Sequence, residues 1–336
     1  MAPRSVTSPA AARRRLLELP GGRVHLVEQG EGPLVLLLHG FPESWYSWRH
    51  QLPALAAAGY RAVAVDARGY GRSSRPASAD AYRAVALVGE TVRLVRELGE
   101  RRAVLVGHDW GATLAGQAGL LRPEVFPAVA LLGVPYTPPG GPRPSRVFAA
   151  MPGEDEFYVP YLQRPGVAEA EIERDVRGWL AGFYTSLSGG RAPAEGPGPY
   201  FVPRGGEMRA RFTGGPLPSW LAEEELDVYA GEFERTGFFG ALARYRNMDR
   251  DWEDLAAWEG EPLRQPTLFV AGAEDASLRW LAEAVDAFEQ TLPALTGRHL
   301  LDGCGHWVQQ ERPEEVNELL RGWLADVTAG WGTGRP

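Results

Sequence analysis

Seven short apolar runs punctuate the chain, and they constrain its fold more than any other feature. They read "RVHLVEQ" (23–29), "LVLLLHG" (34–40), "RAVAVDARG" (61–69), "AVLVGHD" (103–109), "AVALLGVP" (128–135), "PTLFVAG" (266–272) and "GRHLLDG" (297–303). Most are continuous Val- and Leu-rich stretches, not apolar/polar alternations. Strands buried on both faces of a parallel sheet have that pattern. Helical segments are predicted between them, at roughly 83–98, 111–121, 277–291 and 313–326. Strands alternating with helices imply a doubly wound α/β sheet. A chain of 336 residues can build one large domain of this kind with an insertion.

The insertion is visible where the rhythm breaks. Residues 137–262 open on "TPPGGPRP", carry helical patches such as "AEAEIERDVRGWLAGFY" and "AEEELDVYAGEFERTG", and include the Gly/Pro-rich stretch 189–206. This segment is expected to be a helical cap, with 189–206 as a long loop in it. The expected plan is an N-terminal tail (1–20), a core built from 21–136 and 263–328, the cap (137–262) and a C-terminal tail (329–336).

Composition removes several classes of function. The formal net charge of −8 argues against nucleic acid or an anionic membrane as partner. No run approaches the ~20 apolar residues that span a bilayer. The N-terminus has arginines but no apolar core of a signal peptide. One cysteine, Cys304, permits no disulfide framework and fits a reducing, cytoplasmic location.

Chemistry concentrates at the ends of the predicted strands. "GHDWGA" (107–112) has the layout of a nucleophile elbow, in which small residues let a strand turn sharply into a helix. The residue at its tip is Asp109, at a helix N-terminus whose amides favour negative charge. Aspartate is also a common helix cap, so the elbow alone is not decisive. "LLHGFPESW" (37–45) follows a second strand, "VAGAEDASL" (270–278) places Asp275 after a late strand, and "DGCGHWVQQERPEEV" (302–316) places His306 in a Gly-rich loop. The chain order Asp109, Asp275, His306 is that of the α/β-hydrolase triad.

These motifs resemble the soluble-type epoxide hydrolases of the α/β-hydrolase fold found in mammals, plants and bacteria. "HGFPESWYSWRHQLPALAAAGYRAVAVDARGYGRSS" is similar to that family's strand–oxyanion segment, "GHDWGA" to its nucleophile motif and "DGCGHWVQQERPEE" to its histidine loop. In the cap, "YVPYLQRPGVAEAEIE" and "RYRNMDRDW" also look like family segments, so the resemblance runs from about residue 24 to 323. It implies an α/β-hydrolase fold with an inserted cap and an enzyme without cofactor or metal. The implied substrates are a small apolar or aryl epoxide and water, and the implied assembly is a monomer or homodimer. The family's two ring-opening tyrosines fall at Tyr158 and Tyr245, with Tyr161 close to the first.

The residue types suit the implied chemistry. An epoxide has no acyl carbon, so a serine-type acyl transfer has nothing to attack. A carboxylate can open the ring by displacement and leave an ester whose carbonyl belongs to the enzyme, which water then cleaves. Asp109 is expected to be the nucleophile, His306 the general base and Asp275 the acid that orients it, with Glu274 adjacent. The departing oxygen is a poor leaving group, and phenols can hydrogen-bond it and donate a proton. The N–H groups of Phe41 and Trp110 are expected to form the oxyanion hole, and Glu43 and His108 to position water. Haloalkane dehalogenases share the Asp nucleophile and the following Trp but need halide donors, commonly a Trp or Asn after the "HG" or a cap Trp; this chain has Phe41 after the "HG" and two cap tyrosines that match the epoxide hydrolases. A non-catalytic ligand-binding protein of the same fold typically loses a triad member, and here all three are present.

Overall fold

The computed structural model describes residues 12–151, 153–190 and 198–331. Its strands are β1 (Arg13–Leu19), β2 (Gly22–Gln29), β3 (Leu34–Leu38), β4 (Arg61–Val65), β5 (Val104–His108), β6 (Val129–Leu132), β7 (Glu156–Phe157), β8 (Phe201–Val202), β9 (Thr267–Gly272) and β10 (Leu295–Leu301). Eight of them form one sheet in the order β1-β2-β4-β3-β5-β6-β9-β10. The β1–β2 and β2–β4 pairs are antiparallel, and every pairing from β4 through β3 to β10 is parallel.

The period-2 pleat divides each apolar run between two cores. Leu36, Leu105, Leu131 and Phe269 face a layer containing α2 (Ala84–Glu97) and α3 (Trp110–Leu121). Val35, Leu37, Val106, Leu132 and Val270 face α1 (Gln51–Ala57) and the helix Pro313–Val327. Both faces are covered, which is why the strands read as continuously apolar. Parallel strands joined by helical crossovers bring their C-terminal ends to one edge of the sheet. The segments after β3, β5, β9 and β10 therefore carry Phe41, Asp109, Asp275 and His306 to the same place.

Between β6 and β9 the chain is mostly helical, with its longest helices at Val176–Ser186 and Glu223–Thr236. The segment has an aromatic core of its own, including Trp179, Phe183, Tyr229 and Phe238, which is continuous with Phe41, Tyr70 and Trp307 from the sheet side. Among the hydrogen bonds that cross this boundary, two run through Tyr184: its hydroxyl donates to the Pro42 carbonyl at 2.5 Å, and its carbonyl accepts the Trp307 indole N–H at 3.0 Å.

Several local expectations change. Part of the expected N-terminal tail is strand β1, paired along its length with β2. Its three leading arginines hide the strand in the sequence, yet Leu17 and Leu19 are buried and Arg15 reaches Glu28 at 3.2 Å. The rest of that tail, 1–11, lies outside the described residues, as do 332–336 of the C-terminal tail and 191–197 of the expected cap loop. Within 198–206, Phe201–Val202 pairs with Glu156–Phe157 as a small second sheet. The helix expected over 277–291 is three short pieces, Ala276–Arg279, Ala282–Asp286 and Phe288–Thr291, and no Gly or Pro marks the breaks. Among the described residues, no helix is long and apolar enough to cross a membrane.

Candidate active site

Asp109 caps the N-terminus of α3 with φ 53° and ψ −119°, and among the described residues it is the one non-glycine at positive φ. Such a backbone costs on the order of 1–3 kcal/mol and persists only where the surroundings fix it. The surroundings here are close-packed main chain. A Cβ on Gly107 would stand 2.1 Å from the Gly111 carbonyl oxygen, and one on Gly111 would stand 1.9 Å from that of Leu38. The small residues of the motif thus let β5, α3 and the end of β3 converge under Asp109.

The carboxylate of Asp109 meets two groups from other loops. The Phe41 N–H donates to its Oδ1 at 2.7 Å, and His306 Nε2 lies 3.7 Å from its Oδ2. The Trp110 N–H opens α3, where no carbonyl of its own helix can accept it. On the other side of the imidazole, His306 Nδ1 is 2.8 Å from Asp275 Oδ2, and the Ser277 N–H donates to Asp275 Oδ1 at 2.8 Å. Nδ1 thus faces a carboxylate and carries a proton, leaving Nε2 toward Asp109. The structure brings Asp109, His306 and Asp275 together and leaves Glu274 apart: its Oε2 accepts the Gly190 N–H at 2.7 Å.

Charge balance follows from these contacts. Burial pushes the Asp109 carboxyl up, but the neighbouring His306 and His108 and the Phe41 N–H outweigh it and hold its pKa below the ordinary aspartate value. Burial pushes the His306 imidazolium down, but Asp275 and Asp109 outweigh it and hold its pKa well above the ordinary histidine value.

Above Asp109, the cap contributes three phenols to a cavity of about 810 Å³. Tyr158 begins the helix Tyr158–Gln163, and Tyr245 lies near the end of Phe239–Arg246. Their ring centroids are 6.0 Å apart, and Tyr245 meets Trp110 and Phe41 edge-on at 5.0 Å and 5.5 Å. Burial, with the Asp109 charge nearby, raises both phenol pKa values well above 10. Both therefore keep their protons at neutral pH. Tyr161 turns away, its hydroxyl donating to buried Glu171. The third phenol, Tyr200, has no counterpart among the sequence expectations. Its ring is 5.1 Å from Tyr158 and its carbonyl accepts the Tyr158 N–H at 2.8 Å. It sits in the Gly/Pro-rich stretch, and an aromatic between two such breakers was its one sequence signal. Most of the remaining cavity wall is apolar, with Phe148, Phe157, Leu187 and Trp280 among its residues.

Glu43 and His108 do not stand where water-positioning groups would. Both are fully buried and neither lines the cavity. Glu43 Oε2 accepts the Gly40 N–H at 2.9 Å and lies 2.7 Å from His108 Nδ1. Its Oε1 accepts the side-chain amides of Gln309 and Gln310 at 2.9 Å and 3.1 Å. His108 Nε2 is 2.8 Å from the His306 carbonyl. With every polar atom engaged, the pair braces the main chain beneath Phe41 and His306. Among the described residues, no cluster of His, Cys, Asp and Glu has a metal-binding arrangement.

Comparison with known proteins agrees with this architecture. The family described as alpha/beta hydrolase fold matches residues 33–164. The chain is 40% identical to Epoxide hydrolase B of Mycobacterium tuberculosis, over 93% of this chain and 98% of that protein. Among solved structures, it is similar to an epoxide hydrolase from an endophytic Streptomyces, with 63% identity, a TM-score of 0.93 and coverage of 95% and 96% of the two chains. It is also similar to Epoxide Hydrolase A from Mycobacterium thermoresistibile, with 42% identity, a TM-score of 0.85 and coverage of 94% and 98%. The chain belongs to the epoxide hydrolases of the α/β-hydrolase fold.

Proposed function

We propose that this enzyme opens small apolar or aryl epoxides to vicinal diols in two steps, with Asp109 as nucleophile. In the first step Asp109 Oδ2 attacks a ring carbon, the carbon–oxygen bond of the epoxide breaks, and the departing oxygen takes a proton from Tyr158 or Tyr245. The product is a hydroxyalkyl ester of Asp109. In the second step His306 Nε2 removes a proton from water, which attacks Cγ of Asp109. The Phe41 and Trp110 N–H groups hold the tetrahedral oxyanion; on its collapse the Cγ–O ester bond breaks, the departing diol oxygen takes the proton from His306, and the carboxyl proton left on Asp109 returns to the tyrosinate. Asp275 keeps His306 in the required tautomer and stabilises its charged form.

Esterification itself prepares the second step. The raised pKa of His306 depends in part on the Asp109 charge. A neutral ester removes that contribution and favours the free base that must accept a proton from water.

The observation that carries this reading is the placement of Asp109. Its carboxylate is 17% exposed, lines the cavity, and sits between an N–H donor and an imidazole, with two protonated phenols in the same cavity wall. A serine at this tip could not form an enzyme-borne acyl group. The cavity volume exceeds what a single aryl epoxide fills and leaves room for substituents. The proposal includes a cap over 137–262, a core that takes in β1 together with 21–136 and 263–328, and a cytoplasmic location; the buried, unpaired Cys304 requires no oxidising compartment.

The test is turnover of styrene oxide by the purified protein, with chiral analysis of the diol, beside a set of 1-haloalkanes. Diol formation without halide release is expected. Halide release with no epoxide turnover would overturn the proposal.

A further inference from the structure

The loop that carries His306 is held by a carboxylate that takes no part in the chemistry above. Glu311 ends the short helix Val308–Glu311. Its Oε1 accepts the Trp307 N–H at 3.0 Å, and its Oε2 accepts the Gly305 N–H at 3.0 Å and the Gly189 N–H at 2.9 Å. One side chain therefore binds the residue before His306, the residue after it, and the cap.

The same seam is closed from three other directions. The His306 N–H donates to the Leu187 carbonyl at 2.8 Å. Glu274, next to Asp275, accepts the Gly190 N–H. The two backbones are also in contact: a Cβ on Gly305 would stand 2.3 Å from the Leu187 oxygen, and one on Gly189 would stand 2.7 Å from atoms of Gly303, Cys304 and Gly305. Cap residues 187–190 are thereby tied to the loops that carry the acid and the base.

We propose that Glu311 is a positioning residue for ester hydrolysis, setting His306 through its neighbours' N–H groups and registering it against the cap. The inference rests on the two-step reading. Alkylation requires the Asp109 carboxylate and the phenols, none of which Glu311 touches. Hydrolysis requires the imidazole to meet both a water and the ester carbon, and a displacement of ~1 Å costs on the order of a hundredfold in rate. Glutamine at 311 would offer one acceptor oxygen where there are two, and would turn an NH2 toward backbone N–H donors.

The experiment is a single turnover of styrene oxide with excess enzyme, comparing wild type and Glu311→Gln. Rapid quenching and intact-mass measurement follow the ester, and chromatography follows the diol. The variant is expected to form the ester within about twofold of the wild-type rate and to hydrolyse it at least ~10-fold more slowly. A merely structural role would not divide the two steps in this way. Gly189→Ala pushes on the same seam from the cap side without altering the carboxylate, and the same selective slowing is expected; it carries the test if Glu311→Gln does not fold. Equal slowing of both steps, or unchanged hydrolysis, overturns the inference. If wild type itself forms no ester, the two-step reading fails and the role of Glu311 falls with it, an outcome distinct from a defect confined to the variant.

Discussion

The Phe41 N–H donates to Asp109 Oδ1 at 2.7 Å, and this contact makes the two oxygens of the carboxylate unequal. In the proposed route Oδ1 becomes the ester carbonyl, already held at the Phe41 N–H. Oδ2 stands 3.7 Å from His306 Nε2, beyond normal hydrogen-bond length, and is the oxygen that attacks in the proposed route.

Asp109→Asn tests that division. An amide is not a nucleophile toward an epoxide, yet it preserves shape and an oxygen for Phe41. Asparagine also tolerates positive φ better than most residues. Folding should be little changed, while turnover falls below about one ten-thousandth of wild type. Thermal unfolding and diol assays measure the two effects. A variant that keeps its activity would remove Asp109 from the chemistry.

The phenols are expected to share one task. Tyr158→Phe or Tyr245→Phe should slow ester formation by roughly 10- to 100-fold, because one donor remains. The double change should lower it by about 10²- to 10⁴-fold, the whole contribution of general acid catalysis. Pre-steady-state ester formation is the measurement. Near wild-type alkylation in the double variant would shift attention to Tyr200, which lines the same wall.

Removing the base should separate the steps. His306→Gln leaves Asp109 and both phenols in place but nothing to activate water. Intact mass after epoxide addition should increase by one substrate molecule and remain increased. Loss of activity with no adduct would contradict a two-step route.

The pH dependence should divide in the same way. Asp109 is held below the ordinary aspartate range, so alkylation continues as pH falls. Hydrolysis needs neutral His306, whose pKa is held high by Asp275 and, before alkylation, by Asp109. Protonation of this residue as pH falls therefore stops the second step first. Quenched samples at acidic pH should hold more ester than those at alkaline pH. A constant ester fraction across the range would exclude His306 as the titrating base.

Much of this arrangement was legible in the residues themselves. The doubly buried runs disclosed the sheet because strands covered on both faces have no polar alternation to hide them. Asp109, Asp275 and His306 were legible because each follows such a run, and parallel strands deliver their ends to one edge. The cap was harder to read. Tyr200 reaches the site through a Gly/Pro-rich stretch with no periodicity, and its partner strand Glu156–Phe157 has only two residues. Glu43 and His108 were placed near the site correctly in sequence but not in orientation. Whether a buried carboxylate faces the cavity or the main chain behind it depends on Gln309 and Gln310, more than 260 residues away. β1 was hidden by Arg13, Arg14 and Arg15, whose charges mask the buried leucines that follow.

The most direct test of the account is the origin of the oxygen in the diol. If Asp109 attacks first, Oδ2 becomes the ester oxygen and leaves with the product, while the water oxygen remains on the enzyme. A single turnover in heavy-oxygen water, with enzyme in excess, should then give mostly unlabelled diol and label in the peptide containing Asp109. Direct attack of His306-activated water on the epoxide gives the opposite distribution. Fully labelled diol with an unlabelled Asp109 peptide in that first turnover would contradict the ester route.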